Sequence, residues 1–275
     1  MRDFFPCQGL TQHGRICFQL IILAMSRYHA VFFTIAICLT LPALAAGDSV
    51  KKLQLSTGVY WSQGDYREGI NRSMSAIPLS ARIQADTWSV RLATTLLTSE
   101  RLRAETNHKE QKERQSGVGD TWLSATHHLP PQQSSSLFID LTGKFKWASG
   151  NDVKALSSGT TDTELLMDGF KRFDSLTLSS GLGYRWRSGN ATYTNSANAI
   201  VGADLRWTPR TNIGVTLSAG EPSTASSSGQ REWLIYWSIK RASNTRWTLY
   251  ALHGTSTSTP DIGAGVTISR AFTIN

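Results

Sequence analysis

The chain has 275 residues, with 28 basic and 20 acidic side chains, so its net charge is +8 when histidine is neutral. This modest excess is spread along the sequence, and no stretch has the pattern of an RNP motif, a helix-turn-helix or a zinc finger, so we expect no nucleic-acid partner. All three cysteines, Cys7, Cys17 and Cys38, lie near the N-terminus. Disulfide bridges and thiolate metal sites are therefore excluded from the remaining chain.

Residues 1–45 are predicted to be an N-terminal extension and a signal peptide. From Met25, the predicted true start, a basic residue (Arg27) precedes an apolar run that ends in Ala43-Leu44-Ala45, which fits an A-x-A cleavage site. The alternative is that the apolar run is retained as a helical anchor, but the polar break after Met25 and the cleavage signal argue against it. Residues 46–275 are then a single predicted domain.

Twelve segments alternate apolar and polar residues with a period of two, which indicates strands with one apolar and one polar face. In one of them Leu137, Leu141 and Phe145 share a face, while Asp140 and Lys144 share the other. Many segments reach the roughly 9–11 residues that a tilted strand needs to cross a bilayer. The predicted strands are 51–62, 73–85, 87–98, 118–128, 136–147, 161–173, 175–187, 196–208, 211–220, 231–241, 245–254 and 261–272.

Connections between these segments alternate between tight turns and long polar loops. An even number of strands with this alternation is typical of an outer-membrane barrel with short periplasmic turns. We therefore predict an all-β fold, a transmembrane up-and-down antiparallel barrel of about 12 strands, in the outer membrane of a Gram-negative bacterium with both termini periplasmic. The segment 99–117 is rich in both acidic and basic residues and is predicted to be an outer loop, with a short helix or a lid as alternatives.

Tryptophans fall near strand ends, as expected for an aromatic girdle where apolar and wet surfaces meet. The alternative, a soluble β protein with a tryptophan core, would favour strand centres. The predicted girdle consists of Trp61, Trp88, Trp147, Trp186, Trp207, Trp233 and Trp247.

The final strand and the middle of the chain carry a family resemblance. The segment ending at Phe272 resembles the C-terminal strand that the barrel-assembly machinery recognises, which implies assembly through that machinery. The motifs 117–120, 140–147, 159–162 and 168–173 occur in an order that resembles bacterial outer-membrane proteins of the MetA-pathway of phenol degradation-like family. That resemblance covers nearly the whole chain after residue 45 and implies outer-membrane transport of aromatic or other small compounds.

Charged residues share one strand parity, which is informative because Arg or Lys on a lipid face costs about 2–4 kcal/mol at the midplane. The lumen is therefore predicted to be charged and basic, and either lines a narrow pore or is closed by ion pairs. The residues predicted to line it are Arg82, Arg91, Asp140, Lys144, Lys146, Glu164, Asp168, Arg172, Arg185, Asp204 and Arg206.

The predicted function is passive passage or uptake of small, anionic or aromatic solutes, in contact with outer-membrane lipid. Two alternatives stay open. One is a lipid-modifying enzyme at the outer rim, with His253 near Ser256 and Ser258; the other is a closed structural barrel whose loops bind a partner. We expect no catalytic residue and no cofactor. We also expect no metal site, because His127-His128 lacks acidic or cysteine neighbours in the sequence.

Overall fold

The computed structural model describes residues 52–65, 71–104, 110–130, 136–152, 156–189, 191–242 and 244–274. The predicted extension and signal peptide, residues 1–45, lie outside this part of the chain. No helix within it is long and apolar enough to cross a bilayer.

The chain forms one closed antiparallel β-barrel. β1 pairs with β2 on one side and with the last strand, β13, on the other, so the sheet has no open edge between first and last strands. The strands are β1 (Lys52–Asp65), β2 (Asn71–Gln84), β3 (Trp88–Ala104), β4 (Glu110–Val118), β5 (Thr121–Leu129), β6 (Leu137–Trp147), β7 (Thr161–Phe173), β8 (Leu176–Ser188), β9 (Ser196–Thr208), β10 (Thr211–Gly220), β11 (Gln230–Ala242), β12 (Thr245–Gly254) and β13 (Ile262–Thr273).

One position in the barrel is shared by two strands. β3 pairs with β5 through its first part and with β4 through its last part, and Gly119 and Asp120 separate the two partners. The Gly119 amide donates to Thr95 O at 2.7 Å, which keeps the interruption joined to β3. β4 and β5 thus replace a single strand, and the predicted all-β barrel of about 12 strands is confirmed.

The predicted loop 99–117 is wrong. β3 and β4 form a long hairpin that continues the ladder from Leu96 opposite Val118 to Ala104 opposite Glu110. Beyond Leu97 and Gly117 the hairpin sequence lacks an apolar period of two, because most of its residues are polar. Backbone pairing nevertheless extends it directly from the barrel strands.

Burial is inverted relative to a soluble domain. Large apolar side chains such as Val59, Leu182 and Ile235 are exposed on the outer face, whereas the largest fully buried side chains are Thr160, Asp162 and Ser62. Soluble domains almost never bury a carboxylate unless it is paired. The inner face of the barrel is therefore the polar face, and strand parity assigns each residue to one face or the other.

The two rims differ in their connections. The turn end, which also carries the start of β1 and the end of β13, has the tight connections after β2, β7, β9 and β11. In one of them Asp174 has a φ of 46°, a left-handed conformation that aspartate tolerates in a two-residue turn. The long-loop end carries the connections after β6, β8, β10 and β12, as the sequence pattern predicts.

The predicted girdle tryptophans lie at the strand ends on the outer face. Those near the long-loop end are Trp61, Trp147, Trp186 and Trp233, and those near the turn end are Trp88, Trp207 and Trp247. All but the half-buried Trp88 are exposed. Trp237 is exposed at mid-strand, and Trp122 lies on the inner face. That the two levels mark membrane interfaces stays a prediction.

Candidate functional site

The inner face brings the predicted lumen residues together. Arg82 lies opposite Arg91, and Asp140 opposite Asp168. Their strand neighbours of opposite parity are the exposed apolar side chains of the outer face, so the charged groups point to the interior. The same parity places all the predicted residues inside: Arg82, Arg91, Asp140, Lys144, Lys146, Glu164, Asp168, Arg172, Arg185, Asp204 and Arg206.

At the long-loop end a buried network surrounds Lys146, which is 5% exposed. Its ammonium lies 3.0 Å from Asp162 Oδ2 and 3.3 Å from Asp120 Oδ2. It also donates to Ser158 Oγ at 2.5 Å and to Thr160 Oγ1 at 3.1 Å. One cation therefore joins the interruption between β4 and β5 to the start of β7 and to the preceding loop.

The loop between β6 and β7 is folded against this network. Leu156 is 5% exposed, and a Cβ added to Gly117 would lie 2.7 Å from its Cδ1. Gly159 has a φ of 68°, which favours glycine, and Thr160 is fully buried and donates to Asp162 Oδ1 at 2.6 Å. The loop is thus fixed by one apolar contact and several buried hydrogen bonds.

Below that network, Glu164 holds two cations from the neighbouring strands. Its Oε2 lies 3.7 Å from Lys144 Nζ and accepts from Arg185 at 3.1 Å, and its Oε1 accepts from Asn198 Nδ2 at 2.9 Å. The Arg185 guanidinium also lies over the Trp122 ring, 5.3 Å from its centroid. The side chain of Glu164 is 3% exposed, while those of Lys144 and Arg185 are 36% and 28% exposed.

At the turn end the inward cations have neutral partners or, among the described residues, none. We call this set the turn-end cations: Arg82, Arg91, Arg172, Arg206, Lys240 and Arg246. Arg82 donates to Ser89 Oγ at 2.8 Å, and Arg246 to Ser238 Oγ at 3.1 Å. No carboxylate of the described residues lies within 4.0 Å of any of them, and all except the half-buried Arg82 are exposed.

Two of the inward carboxylates toward the turn end, Asp204 and Asp140, are held by other groups. Asp204 accepts from Asn212 and from the Tyr236 hydroxyl, both at 2.7 Å. Asp140 Oδ1 lies 2.8 Å from His128 Nδ1. His128 therefore has an acidic neighbour, contrary to the sequence argument, although no group of three His, Cys, Asp or Glu able to hold a metal occurs among the described residues.

The wall formed by β10 to β13 and β1 carries inward tyrosines between the turn-end cations Lys240 and Arg246 and, toward the other end, Glu232. Tyr60 and Tyr250 stack with centroids 6.2 Å apart and an angle of 15° between their planes. Tyr236 lies over Gly214, and Tyr250 over Gly265, so closely that a Cβ at either glycine would overlap the ring. Because these rings lie flat on glycine, they cover the wall without projecting across the interior.

An interior cavity of about 350 Å³ lies in front of Lys144 and Arg185, between β6 and β10. Two larger hollows, of about 570 and 910 Å³, lie among the outward side chains of β1, β2, β3 and β13 and are part of the apolar outer surface. Of these three hollows, the cavity between the charged strands belongs to the inner site.

The candidate serines of the enzyme alternative are not joined to the histidine. His253 Nδ1 donates to Asp261 O at 2.7 Å. The hydroxyl groups of Ser256 and Thr259 are hydrogen-bonded to each other, and Ser258 Oγ donates to Ser228 O at 2.8 Å. The geometry therefore offers neither serine a base.

Several residues of the site were not predicted. Asp120, Asp162, Trp122 and Asn198 all belong to the site but lie outside the predicted set. Asp162 could have been found because it continues the parity of Glu164 and Asp168 along β7. Nothing in the sequence indicated Asp120, because it follows Gly119 at an interruption of the strand pattern.

A scan against family models found no match, and a search of curated proteins found none either. Among solved structures, the chain is similar to the KdgM porin in complex with disordered oligogalacturonate (TM-score 0.49, 10% identity, covering 80% of this chain and 99% of that one). It is also similar to the translocator domain of the autotransporter NalP from Neisseria meningitidis (0.49, 10%, 89% and 96%) and to the CymD monoaromatic hydrocarbon channel (0.45, 9%, 87% and 92%). These likenesses are weak, so the functional argument depends on the barrel's own geometry.

Proposed function

We propose that this barrel spans the outer membrane of a Gram-negative bacterium and lets small solutes pass, with a preference for anions. The apolar outer face, flanked by tryptophans at both strand ends, supports the membrane location. The polar and charged interior supports a lumen that contacts water and solutes, and not one that is filled by a hydrophobic core.

The turn-end cations are the observation on which the anion preference depends. Rings of charged side chains set the selectivity of membrane pores, because they raise the local concentration of the opposite ion. Cations already neutralised by buried carboxylates contribute little to such a field. The turn-end cations have no carboxylate within 4.0 Å in the described chain, so their positive field extends into the interior.

The aromatic part of the proposal is supported by the tyrosines of the wall formed by β10 to β13 and β1. Tyr60, Tyr236 and Tyr250 present ring faces and hydroxyl groups on the inner surface. Aromatic solutes stack favourably on such rings. The family resemblance, the signal peptide and assembly through the C-terminal strand stay predictions.

Single-channel recording tests the proposal. The full chain is expressed so that the host processes it, and the extracted barrel is used only if it migrates differently before and after boiling. Discrete current steps in a planar bilayer are the expected result. Silence from a barrel shown to be folded would contradict the channel and favour a closed structural barrel.

A further inference from the structure

Building on the proposed channel, we propose that Lys144 and Arg185 form a binding site for a small carboxylate with a compact apolar body. The site lies inside the barrel toward the long-loop end. Its components are the two cations, the carboxylate between them and the cavity in front of them.

The cations are presented to the interior while their common counter-ion is hidden. Lys144, Glu164 and Arg185 lie directly opposite one another on β6, β7 and β8. Glu164 is 3% exposed, against 36% and 28% for the two cations. A solute in the cavity therefore meets both cations of the triad and almost none of Glu164, and the triad keeps a net charge of +1. The carboxylates of Asp168 and Glu221 also line the cavity, farther along its wall.

Arg185 is held in an orientation that leaves a donor free. Trp122 lies against its guanidinium, and its Nη2 donates to Glu164. Its Nε is buried without a hydrogen-bond partner among the described residues. Buried donors normally have a partner, and arginine binds carboxylates through paired N–H groups. A small shift of this side chain toward a bound carboxylate would satisfy that donor.

The space beneath the cations is partly apolar. Leu166 and Ile200 line the cavity of about 350 Å³, and Ile200 is 38% exposed although it points inward. They lean over Gly183 and Gly181 on β8, where an added Cβ would lie 2.6 Å from Leu166 and 2.8 Å from Ile200. Ligand sites commonly combine an apolar lining with a few placed polar groups.

The neighbouring cations do not offer the same chemistry. The side chain of Lys146 is 6% exposed and contacts two carboxylates. That of Arg187 is 8% exposed, near Asp162, and donates to Thr194 O and Ser196 Oγ. Both side chains are far less exposed than those of Lys144 and Arg185, which are therefore the cations presented to a solute in the cavity.

Calorimetric titration of the folded barrel in detergent, at fixed ionic strength, tests the site. The probe is benzoate, with benzamide as the uncharged analogue and acetate as the carboxylate without an apolar body. We expect saturable benzoate binding, no saturation with benzamide, and acetate at least tenfold weaker than benzoate. Saturation by benzamide, or equal binding of acetate, would overturn the proposal.

Variants locate the site. Arg185→Gln is expected to weaken benzoate binding at least tenfold, and Lys144→Gln, at the more exposed position, supplies the same test should Arg185→Gln fail to fold. The matched control is Arg231→Gln, which removes a cation near the same rim but on the outer face. Unchanged affinity in a folded Lys144→Gln or Arg185→Gln, or an equal loss in Arg231→Gln, would overturn the assignment.

Failure of this site and failure of the channel are distinguishable. Current steps without benzoate binding would remove the site and leave the channel. Benzoate binding by a silent barrel would remove the channel and leave the site.

Discussion

The two ends of the barrel interior use the same residue types for different purposes. At the long-loop end, Lys146 is nearly buried and contacts Asp120 and Asp162. At the turn end, Arg91 and Arg246 are exposed and donate only to serine hydroxyls. Lys146, Asp162, Arg91 and Arg246 all share the inward parity, so parity alone does not distinguish structure from selectivity. What distinguishes them is whether a carboxylate lies across the ladder.

Among the variants that test this contrast, Lys146→Met should lower the free energy of unfolding the most. It leaves Asp120 and Asp162 without their shared cation, and breaking a buried ion pair by removing one partner costs about 3–5 kcal/mol. The free energy of unfolding, measured by urea titration of the folded barrel, should fall by that amount. Lys240→Met is the turn-end control, expected to change it by about 0.5 kcal/mol or less, because Lys240 is exposed and unpaired. Equal losses in both variants would erase the difference between the ends.

Gly214→Ala should disturb the turn end by an intermediate amount. The new methyl group would overlap the Tyr236 ring, whose hydroxyl donates to Asp204. Overpacking of this kind costs about 1–3 kcal/mol. It would also free Asp204 to approach the turn-end cations, so anion preference should decrease along with the unfolding free energy.

The control for that variant is Gly220→Ala. This glycine lies on the same strand and face, but the nearest atom to an added Cβ is Ala197 O at 3.5 Å. The unfolding free energy and the anion preference of Gly220→Ala should both stay near the wild-type values. A Gly214→Ala barrel with wild-type stability would show that the tyrosine is not confined to the wall.

Arg114→Gln should have the smallest effect. Arg114 and Glu100 form an ion pair at 3.6 Å on the β3–β4 hairpin, with 67% and 29% of their side chains exposed. Exposed pairs contribute about 0–1 kcal/mol. A loss in unfolding free energy as large as that of Lys146→Met would mean that exposure does not separate the two kinds of pair.

The sequence predicted the repeating part of the fold well. A period of two assigns each strand residue to a face, and turn residues such as those around Asp174 mark the tight connections. The hairpin of β3 and β4 was missed because most of its residues beyond Leu97 and Gly117 are polar, so the sequence shows no apolar period of two there. The backbone ladder nevertheless continues through it.

The candidate site was predicted only as a set of inward charges. The pairing of Lys144 and Arg185 through Glu164 depends on the register of three strands, and register cannot be derived from the alternation within each one. The same limit hid Asp120, whose partner Lys146 lies on another strand. Unpaired turn-end cations could likewise be identified only after every possible carboxylate had been placed.

The reversal potential under a KCl gradient tests the central claim most directly. The wild-type channel should be anion-selective, and the Arg82→Gln/Arg91→Gln double variant should lose roughly tenfold in its anion-to-cation permeability ratio. Arg270→Gln, which removes an exposed cation from the outer face at the same end, should keep the wild-type value. A cation-selective wild type, or a double variant with an unchanged reversal potential, would contradict the account.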